Sequence, residues 1–273
     1  MKIGIITSWN DTLTLFKFLQ RYDHEYIIYY DFLNRSYGNK PFEYSIEQIK
    51  KWIWLLIEKW CEKIILPPIY ELALLHENSK NLSFYDSIIP LFETYLHKYC
   101  FTHSLVGKIW IFGDYADIQM AQKVIHQEAK TYTLTTHQKN IAKFSFPFNY
   151  RNKETPLRKE YLNTISYSDP IVNRTIKYDL RYFKDAGIDT AVPLNYWYFN
   201  YQHTIWKFFN PKKTRFHKLE KLEEIFNTLS LTHSTKYAVS VFYTGHCDFL
   251  KRYKKLLRLL QRWKNSEVKF EKA

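Results

Sequence analysis

The chain has 273 residues, of which 46% are hydrophobic and 25% charged, an ordinary globular composition with ample core for one large domain or two smaller ones. Its net charge is +13, but Lys, Ile, Asn and Tyr are abundant together, a mixture that an AT-rich gene also produces, so charge alone assigns no partner. Three cysteines, with no CxxC pair and an odd count, argue against a disulfide framework and for a reducing cytoplasm.

The N-terminus passes from Met1-Lys2 straight into Ile3-Gly4-Ile5-Ile6, too short for a signal-peptide core. The longest apolar run, Trp52 to Ile57, cannot span a bilayer. In chain order, short apolar runs predict strands at 2–6 (KIGII), 26–30 (YIIYY), 63–66, 108–112 (KIWIF), 131–134, 188–192 (IDTAV) and 237–242 (YAVSVF). Between them lie amphipathic segments. The clearest is 45–60, where Ile46, Ile49, Ile53, Leu56 and Trp60 recur at helical spacing behind Ser45, the expected N-cap. Alternation of this kind predicts α/β architecture with parallel sheets and helices on both faces. KIGIIT at 2–7 and KIWIFG at 108–113 both look like first strands. WCEKIILPPIY at 60–70 and DAGIDTAVPLNY at 185–196 both look like a helix end, a strand and a proline-containing tip, a hint of duplication.

Taken in order, these tips resemble the aspartate/glutamate racemase superfamily, and glutamate racemase most closely. KIGIITSWNDTLTLF at 2–16 resembles the opening strand and Asp-Ser-Gly loop. RSYGNKP at 35–41 resembles the Tyr-Gly-x-Lys segment. IILPPIYELA at 64–73 and GIDTAVPLNYWY at 187–198 fall where the family has its two cysteine tips, and VFYTGHCDF at 241–249 resembles the closing strand and Thr-Gly turn. The resemblance implies two similar doubly wound parallel-sheet domains facing a shared cleft, the first from 1–97 plus 210–273 and the second from 98–209. It also implies a pocket for a small carboxylate, or for an aromatic ligand, at Ser8, Tyr37, Gly38, Tyr70, Asn195 and Tyr196. No metal and no cofactor are expected, and a homodimer is one expected assembly.

The same matching shows what is replaced. Racemases of this type place one cysteine on each side of the substrate, one removing the Cα proton and the other delivering one. Here the two positions fall on Pro68 and Asn195. Thr7 stands where the family has the assisting acid, and Trp197 where it has a histidine. Trp9, Asp11 and Thr12 replace loop glycines.

Racemisation needs a base on one face of Cα and an acid on the other. Proline offers no exchangeable proton, and an asparagine amide does not titrate in water. Tyr70 and Tyr196 flank the lost positions, but a phenol pKa near 10 rises further on burial without a cation. The expectation is therefore an inactive homologue that binds a ligand, regulates or scaffolds. The alternative is an enzyme on a small carboxylic acid using Asp11, Glu71, Tyr196 or His203.

No GxGxxG or P-loop, no GxSxG elbow and no HExxH spacing occurs. A basic tail, FLKRYKKLLRLLQRWK at 249–264, carries seven basic residues and no acid among positions 251–264. It is expected to pack its apolar face on the first domain, the alternative being contact with an anionic membrane or with nucleic acid. Lys212, Lys213, Arg215 and Lys218 form a second basic cluster.

Overall fold

The computed structural model describes residues 1–7, 9–31, 40–76, 84–102, 109–112, 190–208, 215–229, 237–244 and 268–272. The chain divides into two compact units, Met1–Leu91 with Glu223–Ala273, and Phe92–Leu222.

The first unit is built on a five-stranded parallel sheet. Its strands are β1 (Lys2–Ile6), β2 (Glu25–Tyr30), β3 (Lys63–Ile65), β6 (Ala238–Tyr243) and β7 (Val268–Lys272), in the order β3-β1-β2-β6-β7. The apolar runs form these strands because a parallel strand covered on both faces has no solvent side for a polar residue. Ile3, Ile5, Ile28, Ile64 and Ile65 are all fully buried. The strand expected at 26–30 is β2, those at 2–6 and 63–66 are β1 and β3, and that at 237–242 is β6. β7 was not foreseen, since Val268-Lys269-Phe270-Glu271-Lys272 has no apolar run.

Between the strands lie α1 (Trp9–Leu19), α2 (Phe42–Glu58) and α3 (Pro68–His76). Helix α2 buries Ile46, Ile49, Ile53 and Leu56 of the stripe read from the sequence; Trp60, its fifth member, is not part of the buried face, because the helix ends at Glu58 and Trp60 is exposed. Its start is corrected: the N-cap is Pro41, and Ser45 lies inside the first turn, its hydroxyl donating to the Pro41 carbonyl at 3.2 Å. The extra turn is held by tertiary packing, since the Phe42 ring stacks on Tyr70 at 5.4 Å and 2°. The helix crosses β1 at Gly4, where a Cβ would lie 2.7 Å from Leu56 Cδ1 and 3.4 Å from the Cys61 sulfur. Only glycine allows that approach without displacing Leu56.

Helix α2 ends in a Schellman turn, with Trp60 N–H donating to Ile57 O (2.8 Å) and Cys61 N–H to Leu56 O (3.0 Å). The C′ position usually taken by glycine is Trp60, at φ 64°, and its side chain is 82% exposed. Trp60→Gly should therefore raise stability by about 1 kcal/mol, because a left-handed residue bearing a Cβ is strained. Urea denaturation checks this. A loss of stability would mean that the indole packs against something that outweighs the strain.

In the second unit, β4 (Ile109–Phe112) pairs in parallel with β5 (Thr190–Pro193). These are the strands expected at 108–112 and 188–192. Helix α4 (Leu91–Tyr95) runs into a π-helical turn, Leu96–Phe101, so Cys100 sits in a wide helical turn rather than a connector. After β5 come a 3₁₀ helix, Tyr196–Tyr201, and α5 (Gln202–Phe208); α6 (Glu220–Thr228) begins at the end of this unit and belongs to the first unit from Glu223 onward. The core of this unit is aromatic: Tyr95 meets Phe92, Tyr99, Phe199 and His217 at centroid distances of 5.7–6.3 Å. The run 131–134 and the tail 249–264 lie outside the described residues.

Candidate functional site

Along β2, Tyr26 and Tyr29 are an odd number of residues apart and so point to opposite faces of the sheet. Tyr26 packs on α1, its hydroxyl donating to Leu19 O at 2.8 Å and its ring meeting Phe16 at 5.3 Å. Tyr29 stacks on Trp52 of α2 at 4.3 Å. Helices α1 and α2 therefore cover opposite faces. In an open parallel sheet this opens a crevice at the carboxyl ends of the two strands that lead into them.

At the end of β1, Thr7 is buried, and its hydroxyl shares a hydrogen bond of 2.6 Å with that of Thr12. Asp11, Thr12 and Thr14, all in the first half of α1, are at most 1% exposed. Asp11 lies in the first turn of its helix, where a carboxylate is favoured by the backbone N–H groups. At the end of β2 stands Asp31. Its Oδ2 accepts from Trp52 Nε1 at 3.2 Å and its Oδ1 from Thr244 Oγ1 at 2.9 Å. Thr244 directly follows β6, and its N–H donates to Tyr30 O at 3.0 Å. One carboxylate thus ties together the ends of β2 and β6 and helix α2. Burial, and then the Asp31 charge, push the Tyr29 phenol well above its ordinary value.

β3 leads into Pro67 and Pro68. Pro67 O accepts from Tyr70 N–H (3.1 Å) and Glu71 N–H (3.0 Å), which starts α3. Pro68 is the first residue of that helix, where a missing N–H costs nothing because no partner exists for it. Pro68, Tyr70 and Glu71 are all buried, Glu71 completely.

In the second unit, Asn195 has extended backbone (φ −133°, ψ 135°), and its carbonyl accepts from Tyr198 N–H at 3.3 Å to open the 3₁₀ helix. Its side-chain oxygen is buried and has no hydrogen-bond partner among the described residues, an arrangement that costs free energy unless a donor arrives. Tyr196 is fully buried, edge-on to Phe92 at 6.4 Å. Trp197 is partly exposed and stacks on Tyr198 at 3.9 Å. His203, on α5, is exposed.

Two cysteines are described, both as free thiols. Cys61 follows α2 and is 5% exposed, and burial pushes its pKa up to about 12. Cys100 is fully buried in the π-helical turn, and burial raises its pKa too. Neither stands at the carboxyl end of a strand. Cys247, Ser8, Tyr37 and Gly38 lie outside the described residues. Among the described residues no group of three or more His, Cys, Asp or Glu side chains could hold a metal. No described helix is long and apolar enough to cross a membrane.

The Asp31–Trp52–Thr244 cluster escaped the sequence analysis. Its one local signal is that Asp31 and Thr244 each directly follow an apolar run.

The architecture around these residues is shared with solved structures. Glutamate racemase RacE1 from Bacillus anthracis superposes with a TM-score of 0.69 at 17% identity, covering 99% of this chain and 96% of that one. The chain has the glutamate racemase fold. Glutamate racemase from Francisella tularensis, solved in complex with D-glutamate, superposes equally well, with a TM-score of 0.69 at 13% identity, over 99% of this chain and 97% of that one. The Escherichia coli enzyme, in complex with L-glutamate and the activator UDP-MurNAc-Ala, gives a TM-score of 0.56 at 13% identity, over 99% and 97% of the two chains. No protein-family model and no curated protein matches the sequence. At these identities the likeness is one of fold, which in this case is an α/β fold built on a parallel sheet.

Proposed function

We propose that this chain is a glutamate racemase-like protein without thiol-based racemase turnover, an inactive homologue that binds a small ligand and acts as a regulator or scaffold. One observation carries the proposal. Pro68 begins α3 and Asn195 opens the 3₁₀ helix, so neither residue matching a family cysteine holds an exchangeable proton of useful pKa. The two described thiols support it further, since burial holds both in the neutral form and a neutral thiol is a poor base.

In this proposal the ligand is a small carboxylate or an aromatic molecule held at Ser8, Tyr37, Gly38, Tyr70, Asn195 and Tyr196. Thr7, Pro68, Asn195 and Trp197 are the degenerate catalytic positions. The complexes of the Francisella and Escherichia enzymes with glutamate support a small acid as ligand. The unpartnered oxygen of Asn195 favours one that brings an N–H or ammonium donor. Each of these two sets is divided between the proposed domains, 1–97 with 210–273 and 98–209. The cysteine pattern supports a cytoplasmic setting.

A second proposal has one observation in its favour: Asp11 and Glu71 are buried carboxyl groups in the first turns of α1 and α3, both at the carboxyl edge of the sheet. Buried carboxyls can serve as general acids or bases.

Incubating the protein with L- and D-glutamate and with L- and D-aspartate in D2O, and following the Cα proton by NMR, separates the two. We expect no exchange above a protein-free control. Exchange that Asp11→Asn or Glu71→Gln abolishes would replace the first proposal with the second.

A further inference from the structure

We propose that the second unit carries a nucleic-acid-binding surface formed by Lys98, Arg215, Lys218 and Lys221. The segment bearing Arg215 and Lys218 is fixed to the sheet: Ala191 N–H donates to Arg215 O at 2.8 Å, and Thr190 bridges to Arg215 in parallel. Phe216 is buried against Phe199 at 5.8 Å, and its carbonyl accepts from Trp206 Nε1 at 2.7 Å. Around the anchored Phe216, Arg215 and Lys218 are both exposed, whereas the His217 ring packs on Tyr95 and Tyr99.

The cations are positioned by aromatic rings. Lys218 Nζ lies 4.8 Å from the centre of the Trp206 ring. Lys98 and Lys221 share one ring, at 5.4 and 5.2 Å from the centre of Tyr99. The two ammonium groups on Tyr99 therefore lie within about 11 Å of each other, so they repel measurably at low salt. Lys98 and Lys218 make no ion pair among the described residues. Glu220 is the one acid from 215 to 222, and 207–218 (KFFNPKKTRFHK) has five basic residues and no acid.

A patch of closely spaced cations is relieved best by a partner with closely spaced anions, and a nucleic-acid strand carries a phosphate about every 3.4 Å. A membrane fits less well, because interfacial binding also needs apolar side chains that can insert. Of the aromatic residues here, Tyr99 and Phe216 are buried within the unit and Trp206 is only partly exposed beneath Lys218. Readout would be of the backbone, independent of sequence.

Fluorescence anisotropy with a labelled single-stranded oligonucleotide of mixed sequence tests this as salt is varied. Four phosphate contacts predict a log K against log salt slope of about −3, roughly fifty-fold weaker binding at 200 than at 50 mM. Lys98→Glu/Lys218→Glu should bring the slope to about −1.5 and weaken binding at least tenfold. Lys51→Glu/Lys269→Glu, an equal charge change at exposed positions of the first unit, should leave the slope nearly unchanged. Circular dichroism would show that both variants fold. Absence of binding, equal effects of the two variants, or binding only to vesicles containing phosphatidylserine would overturn the proposal.

Discussion

Tyr26→Ala lowers the stability of the protein by about 4 kcal/mol, and Tyr26→Phe by only about 1 to 2. Tyr26 lies in the middle of the five-stranded sheet and is fully buried. Its ring meets Phe16 of α1 at 5.3 Å, His24 at 6.1 Å and Tyr237, just before β6, at 5.9 Å, while its hydroxyl donates to Leu19 O. Alanine removes the ring from all of these at once, and surroundings drawn from three elements cannot collapse together to fill the space. Phenylalanine keeps the ring and leaves one carbonyl without its donor. Equilibrium urea denaturation of the two variants gives the comparison. Equal losses would mean that the hydrogen bond, and not the packing, makes Tyr26 important.

The second large effect is alkaline unfolding, with stability falling from about pH 9 upward. Burial raises the Cys61 thiol from 9.0 to about 12 and the Tyr237 phenol from 10.0 to about 12, and it raises Tyr26, Tyr29 and Tyr95 as well. These groups ionise in the unfolded chain at their ordinary values and stay protonated in the folded one. Above pH 9 the native state therefore binds more protons, and stability declines as pH rises. Each group contributes about 1.4 kcal/mol per pH unit beyond its unfolded pKa. By pH 11 Cys61 and the four tyrosines together give roughly 5 to 8 kcal/mol, comparable with the whole stability of a typical domain. Below pH 9 these groups make no difference. Following tyrosinate absorbance and far-ultraviolet circular dichroism on the same samples should show a late, cooperative tyrosine step that coincides with loss of helix. If all tyrosines titrate near pH 10 while the circular dichroism stays native, the buried phenols are not held as described.

The proposed lack of racemase turnover rests on two residues, Pro68 and Asn195, that have structural duties in the fold. Pro68 is favourable as the first residue of α3, and Asn195 lends its carbonyl to the first turn of a 3₁₀ helix. Proline at a helix start carries a clear sequence signal, so the break between β3 and α3 at Pro67-Pro68 was legible in the sequence. The burial of Tyr196 was not. A tyrosine beside a strand tip has the same sequence signature whether its hydroxyl faces a ligand or its ring is packed edge-on to Phe92, as here.

By itself the sequence determined the strands from β1 to β6, most of the apolar stripe of α2 and the parallel α/β class, because each is encoded in a short apolar run or a period of 3.6 within a few neighbouring residues. Resemblance at the strand tips then pointed to Pro68 and Asn195 as the positions proposed to match the family cysteines. The tertiary structure alone decided the rest. β7 pairs with β6 although its alternate residues Lys269 and Glu271 are exposed, because an edge strand covered by a single neighbour needs no apolar run. The first turn of α2 is fixed by the stack of Phe42 on Tyr70, and Cys100 is buried by a widened turn. The carboxylate of Asp31 finds a hydroxyl 213 residues away on Thr244. Such contacts join residues far apart along the chain, and neither partner carries a local mark of the other; only the folded sheet, by setting β2 beside β6, brings them within hydrogen-bonding distance.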